Sequence, residues 1–393
     1  MDELARRVQR IKPSPTLAIT ARAKALKDAG ENIIGLGAGE PDFDTPDHVK
    51  QAAIEAIQKG FTKYTAVDGT PELKQAVVDK FRRENGFQYN TNQILVSCGG
   101  KHSFYNLCQA LLEENDEVII PAPYWVSYPD IVLLADATPI IINSTIEQNF
   151  KITPAQLDAA ITQNTKLVIL NSPSNPTGAV YSRDELKALG EVLNRHPHVF
   201  VISDDIYEHV MLNGEPFCNI LNACPELYER CIVLNGVSKA YSMTGWRIGY
   251  AAGPEWLIKG MKKIQSQSTS NPTSISQVAA QAALNGDQSF IKTMEAAFKE
   301  RHQFVLDSLN SIDGISCIAS AGAFYSFPDC SGLIANLKSV KDDLDLAEFF
   351  ITQAKVAMVP GSAFGAPGYM RLSFATSMEN LQQAMERLKR VVS

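Results

Sequence analysis

Seven short apolar runs set the limits on this fold: "QILVS" (93–97), "DEVIIP" (116–121), "TPIII" (138–142), "TKLVIL" (165–170), "HVFVIS" (198–203), "RCIVLN" (230–235) and "RIGYAA" (247–252). They are rich in Val and Ile and do not alternate with polar residues. A strand with one wet face alternates, whereas a strand covered on both faces reads as an unbroken apolar run. Several gaps between the runs carry helical spacing, as at 101–112 and 183–195. Strand and helix in turn predict an α/β fold with a mainly parallel sheet.

A chain of 393 residues exceeds one ordinary core, so a second unit is expected. The pattern changes after residue 270. Residues 274–310 read as helical with a break near "LNGD". Then come "ISCIA", "GAFYSF", a helix at 343–354, "VAMVP", "YMRLSF" and a last helix. This predicts a smaller α+β domain. Residues 1–45 are expected to fold against it, because "LARRVQRI" is amphipathic and cannot bury its face alone. The expected division is 46–285 for the large domain, and 1–45 with 286–393 for the small one.

Composition narrows the function. A net charge of −7 leaves no excess of Lys and Arg for phosphates, which argues against nucleic acid as a partner. The seven cysteines contain no CxxC pair, so no metal site is expected. The first residues lack the apolar core of a secretory signal, and no stretch approaches the ~20 apolar residues of a membrane span. The cytoplasm is the expected location.

In a sheet of this type, ligands collect at the carboxyl ends of the strands. After "QILVS" comes "CGGKHSF", where Gly99 and Gly100 open a helix whose free N–H groups can receive an anion. Taken alone, this is also an ordinary turn. "PAPYWVSYP" (121–129) supplies an aromatic. "NSPSNPTG" is a loop by composition, yet Asn171 and Asn175 put amides at the sheet edge. In "DDIYEH", Asp204 ends a buried strand and Tyr207 follows; alone, Asp204 reads equally as a helix cap. In "GVSKAYSMTGWRIGY", Lys239 follows a strand end with Ser238 and Arg247 close by. An anion cradle, carboxylate, phenol, lysine and arginine at one sheet edge point to one ligand. It would carry a phosphate, a ring nitrogen wanting a carboxylate, a phenolic oxygen, and a carbonyl wanting an amine. Pyridoxal 5'-phosphate fits all four.

Here the sequence resembles the fold-type I pyridoxal-phosphate enzymes, specifically the class I aminotransferases, and is similar to the bacterial aspartate aminotransferases of subgroup Ib. The likeness runs from "KPSPTLAI", "GAGEPDFDTP" and "KYTAVDGTPELK" through "PYWVSYP", "NSPSNPTG" and "SDDIYEH" to the lysine stretch and "YMRLSFATS". It implies Lys239 as cofactor-bearing lysine and proton shuttle, and Asp204 at the pyridine nitrogen. Tyr207 and Asn175 would meet the ring oxygen, and Trp125 would stack on the ring. The Gly100 and Lys101 amides, Ser238 and Arg247 would hold the phosphate. Tyr64 would reach the phosphate of a second subunit, making a homodimer with shared sites. Arg371 would bind the substrate α-carboxylate by a bidentate fork, and Gly39 would offer backbone contact.

For an acidic side chain the resemblance implies Lys101 with Ser14 and Thr16. Aspartate and 2-oxoglutarate are the expected pair, with prephenate or a broader range as alternative; Lys12 fits prephenate. Two positions depart from the family's habit: Asp205, where Glu is common, and Ser174, where Asn is common. A β-lyase would use the same lysine, aspartate and arginine. A DNA-binding regulator on this fold would need a head before residue 13. A nicotinamide dehydrogenase would need G-x-G-x-x-G after an early strand, which this chain lacks.

Overall fold

The computed structural model describes residues 3–13 and 15–392. Its centre is a seven-stranded sheet. In chain order the strands are β1 (Ile94–Ser97), β2 (Glu117–Ala122), β3 (Thr138–Asn143), β4 (Thr165–Asn171), β5 (Phe200–Asp204), β6 (Cys231–Gly236) and β7 (Gly249–Ala252). Each falls on one of the seven apolar runs, within about two residues at either end. The spatial order is β1-β7-β6-β5-β4-β2-β3. Only β7 runs antiparallel, between β6 and β1. The chain from β6 to β7 spends its residues on the lysine loop and a short 3₁₀ turn, Thr244–Trp246, and so forms no crossover helix. Without a crossover the return strand is antiparallel.

Alternate residues of each strand enter opposite cores. Val168, Leu170, Val201 and Val233 pack on one face with helices Pro71–Lys80, Arg183–Arg195 and Ser274–Asn285. Leu167, Ile169, Ile202 and Ile232 pack on the other with helices Gly100–Leu111, Ser127–Leu134 and Glu255–Ser266. Burial on both faces is why the runs show no polar alternation.

A separate core gathers Leu36, Phe298, Phe324, Phe350, Phe374 and Leu388. Around it lie helices Ser289–Asn310 and Met378–Val392, and a three-stranded antiparallel sheet of Tyr325–Ser326, Met370–Ser373 and Val359–Pro360. Ile34–Gly35 pairs with Val356–Ala357, and helix Pro15–Asp28 places Ala23 against Ile33, Ile351 and Ala357. The stretch "LARRVQRI" behaves differently from expectation. Arg6–Arg10 is a short helix with no buried residue. It leans towards helix Ser127–Leu134, with Arg10 paired to Asp136 and the Lys12 N–H bonded to Asp130 at 3.3 Å. Charge pairing, not apolar burial, sets its place, and Leu4 and Val8 stay exposed.

Candidate active site

At the carboxyl edge of the sheet, β1, β2, β4, β5 and β6 all end on one side, and antiparallel β7 begins there. Register fixes this: Ser97 and Gly236 both pair with Gly249. The loops that leave this edge face Tyr325 and Arg371 of the three-stranded sheet. Between them lies a cavity of about 440 Å³.

Lys239 and Arg371 stand in this cavity, and one short segment holds both. The Lys239 ammonium donates to the Gly39 carbonyl, and Arg371 Nη2 donates to the Gly37 carbonyl at 2.6 Å. Arg371 Nη1 donates to Asn175 Oδ1 at 2.9 Å, and its guanidinium lies 4.5 Å from the Tyr325 ring centre. Arg371 is 2% exposed, its Nε has no hydrogen-bond partner, and among the described residues no carboxylate pairs with it. Burial, with Arg371 and Arg247 nearby, lowers the Lys239 pKa to about 8; Glu40 and Asp204 oppose this. Desolvation and neighbouring cations both disfavour an ammonium.

Asp204 lies at the floor. Tyr128 donates its hydroxyl to Asp204 Oδ2 at 2.5 Å, and the Ile206 N–H donates to Oδ1 at 3.3 Å. Burial raises the Asp204 pKa against these bonds. Asn171 spans the gap to the next strand, donating to the Asp204 carbonyl at 3.0 Å and accepting from the Asn175 N–H at 3.0 Å. Tyr207 shares a 2.8 Å hydrogen bond with the Tyr325 hydroxyl.

The other end suits an anion. Helix Gly100–Leu111 starts without a side-chain cap, and Gly99 before it has φ 88°. A Cβ on Gly99 would lie 2.4 Å from Arg247 Nη2, so only glycine lets that guanidinium lie along the turn. Arg247 donates to the Thr244 carbonyl at 2.8 Å and to the Cys98 carbonyl at 3.3 Å. Ser238, Gly100 and Lys101 complete this end, with Lys101 Nζ 5.1 Å from the Trp125 ring centre. Burial and Arg247 lower the Lys101 pKa.

Thr16 and Gly39 also line the cavity. Tyr64 does not: it is 91% exposed. Its loop is nevertheless well held. Buried Gln265 donates to the Val67 and Val96 carbonyls, and buried Gln277 donates to Thr65 Oγ1 and accepts from the Thr70 N–H. Lys12 is exposed, and Ser14 lies outside the described residues. Sequence reasoning missed Tyr128, Tyr325 and Glu40. Tyr128 sits inside the quoted "PYWVSYP" and Glu40 inside "GAGEPDF"; Tyr325 is one aromatic among several in "GAFYSF", with no local signal.

The sequence pattern of the family described as Aminotransferase class I and II matches residues 31–388. The chain belongs to that family. This aminotransferase is 59% identical over 396 residues to the aspartate/prephenate aminotransferase of Nitrosomonas europaea, covering 100% of each chain. It superposes on the crystal structure of the Rhizobium meliloti aspartate aminotransferase with a TM-score of 0.96, at 49% identity, covering 100% of this chain and 99% of that one. A Thermus thermophilus aspartate aminotransferase with maleate gives 0.93 at 42% identity, covering 100% of each chain. The architecture is therefore the fold-type I arrangement. Class I aminotransferases use pyridoxal phosphate, and this aminotransferase has residues that fit it. A lysine of lowered pKa suits a carbonyl, a buried carboxylate suits a cationic ring nitrogen, and an uncapped helix start beside Arg247 suits a phosphate.

Proposed function

We propose that this aminotransferase moves the amino group between aspartate and 2-oxoglutarate, giving oxaloacetate and glutamate, with pyridoxal phosphate held at Lys239. The observation that carries amino-acid transfer is Arg371, buried in the cavity wall with an unpartnered Nε and, among the described residues, no carboxylate of its own; the choice of aspartate is supported by the relatives. A buried charge left unpaired is costly. A substrate α-carboxylate would complete it. Lys101, with Thr16 and Ser14, is assigned to the distal carboxylate. The relatives are named for aspartate, and maleate, present in the Thermus thermophilus structure, is a dicarboxylate.

When bound, pyridoxal phosphate supplies a ring that takes up the electrons of the broken Cα–H bond. Lys239 Nζ would take the proton from the substrate Cα; burial and the nearby Arg371 and Arg247 lower its pKa and so favour the neutral amine. Asp204 holds a proton on the ring nitrogen, with Tyr128 steadying its carboxylate. Tyr207 and Asn175 are assigned to the ring oxygen and Trp125 to the ring face. The Gly100 and Lys101 amides, Ser238 and Arg247 are assigned to the phosphate, and Gly39 to the substrate through its backbone.

Prephenate is the second reading, favoured by the names of the relatives; Lys12 is the residue assigned to it. The active unit is read as a homodimer in which Tyr64 completes the neighbour's phosphate site. Its exposure on a tightly held loop, beside exposed Ile54, Ile57 and Phe61, supports this. We divide the chain into a large domain, 46–285, and a small one, 1–45 with 286–393, whose N-terminal residues 6–12 reach across to the large domain. Seven free thiols suit a reducing cytoplasm. The deciding experiment measures half-reactions of the purified protein with aspartate, glutamate, alanine and tyrosine, and turnover of prephenate with glutamate. No amino transfer from aspartate, with brisk transfer from alanine or tyrosine, would sink the acidic-substrate reading.

A further inference from the structure

Directly behind the site lies an ion pair that the chemistry above does not use. Lys80 is 0% exposed, at the end of helix Pro71–Lys80. Its ammonium meets Glu208 Oε1, itself buried, and donates to Asn85 Oδ1 at 2.8 Å. Glu208 accepts twice more: from Asn85 Nδ2 at 2.9 Å and from Asn235 Nδ2 at 2.6 Å. Asn235 Oδ1 in turn accepts from the Gly236 N–H at 2.7 Å. Outside this knot, Glu84 lies 3.5 Å from the Lys80 ammonium and 2.9 Å from His209.

The knot lies where two site-bearing segments part. Strands β5 and β6 are paired up to Asp204 and Leu234. There β5 ends, with the Asp205 N–H still bonded to the Leu234 carbonyl, while β6 runs on to Gly236 against β7. Glu208 belongs to the turn after β5, just after Asp204 and Tyr207. Asn235 belongs to the end of β6, just before Ser238 and Lys239. The Glu208–Asn235 hydrogen bond is thus a side-chain tie between the turn that follows the Asp204 carboxylate and the end of strand β6, just before the loop bearing the lysine. The Lys80 ammonium fixes the Glu208 carboxylate from behind.

A fully buried ion pair adds little net stability, because desolvation offsets its attraction; conformational specificity is a better-attested use. We propose that Lys80, Glu208 and Asn235 are positioning residues that set the distance of Lys239 from Asp204 and Tyr207. This rests on the assignment of Lys239 and Asp204 above. None of the three lines the cavity. They act through the two segments they join, and a displacement of about 1 Å at a reacting group can cost on the order of 100-fold in rate.

The test uses the holoenzyme and three variants. Asn235→Ala cuts the tie and leaves the ion pair. Glu208→Gln keeps an acceptor for Asn235 but leaves the Lys80 charge without its buried partner. Lys80→Met/Glu208→Met removes the pair without leaving a lone charge. Three quantities are read: kcat and KM for aspartate, the midpoint of the cofactor's visible absorbance against pH, and Tm. Asn235→Ala and the double variant should lose about tenfold or more in kcat, with KM within about threefold, and should shift the absorbance midpoint. Glu208→Gln should lower Tm, because it leaves the Lys80 charge without its buried partner, and should lose less in kcat than Asn235→Ala because an acceptor for Asn235 remains. If Asn235→Ala lowers only Tm, the residues are merely structural and the inference is overturned. It is overturned also if the double variant keeps the parent kcat and midpoint, since the knot would then not set the geometry. Should the double variant fail to fold, Asn235→Ala decides alone. Lys239→Ala is the control: if it keeps turnover, the site assignment itself has failed.

Discussion

Tyr128 donates its hydroxyl to Asp204 at 2.5 Å, and both residues are buried. Burial alone pushes the Asp204 carboxyl up, and this bond is the largest influence holding it down. Tyr128→Phe removes the donor without removing the ring. A hydrogen bond to a charged group contributes about 1.5–3 kcal/mol, so kcat should fall roughly ten- to hundredfold. The sign of the pH effect is fixed. Without Tyr128 the Asp204 pKa rises further, so activity lost on acidification should be lost at a higher pH than in the parent. A pH–rate profile with an unmoved acid limb would show that the bond is incidental.

Lys239→Ala should abolish turnover while the protein still takes up the cofactor noncovalently. Loss of the general base accounts for about 10²–10⁴ in rate, so retention of more than about one per cent of parent turnover would reassign the base. In the cofactor-free protein, labelling of Lys239 by an amine-selective reagent should rise with pH through about 8 as the amine loses its proton, and level off above it. Arg371 is the leading cation acting on this lysine, so Arg371→Met should shift that rise to higher pH.

The folded-state pKa of Lys239 lies below its ordinary value of 10.5. The unfolded chain therefore binds more protons between about pH 8 and 10.5, and the apoprotein should gain stability as pH rises through that window. Below it, folding must keep a cation in a desolvated site. Lys239→Met removes that burden, so the apo variant should melt above the apo parent at pH 7. A lower Tm for the variant would mean that the Gly39 contact outweighs the desolvation.

Lys101 and Arg371 should separate by substrate. Lys101→Ala should lower kcat/KM for aspartate about ten- to hundredfold, the size of one charge-assisted contact. Alanine and aromatic substrates should change much less. Arg371→Ala should impair all of them, since every amino acid has an α-carboxylate. Equal losses for aspartate and alanine in Lys101→Ala would confine Lys101 to the cofactor.

Tyr64 tests assembly. Tyr64→Ala and Lys239→Ala chains, each inactive or weak alone, should regain activity when mixed, because the mixed dimer contains one site with both residues intact. A fully active monomer in sedimentation, or no recovery in verified mixed dimers, would reject the shared site.

The seven sheet strands were legible because burial on both faces writes Val and Ile into consecutive positions. So were cavity-lining residues that follow directly from strand ends, such as Asp204, Lys239 and Gly100. The sheet brings strand ends to one edge whatever the loops contain. Arg371 and Thr16 were reached through family likeness, since nothing in their local spacing marks them.

Only the tertiary structure decided which side chains meet across the chain. Arg371 bonds to Gly37 from 334 residues away, Tyr207 to Tyr325 from 118, Lys80 to Glu208 from 128. Periodicity reports what each residue faces, core or water, and that is a local property. It does not report which neighbour fills that face, because the neighbour depends on strand order and on how the second core closes over the first. The same limit explains "LARRVQRI": its sequence shows an apolar stripe, but its placement follows from Asp130 and Asp136, which the fold happens to set beside it. The chain by itself determined the sheet and the residue types that follow its strand ends. Packing decided the partners of each group, because partnership is a matter of distance in space.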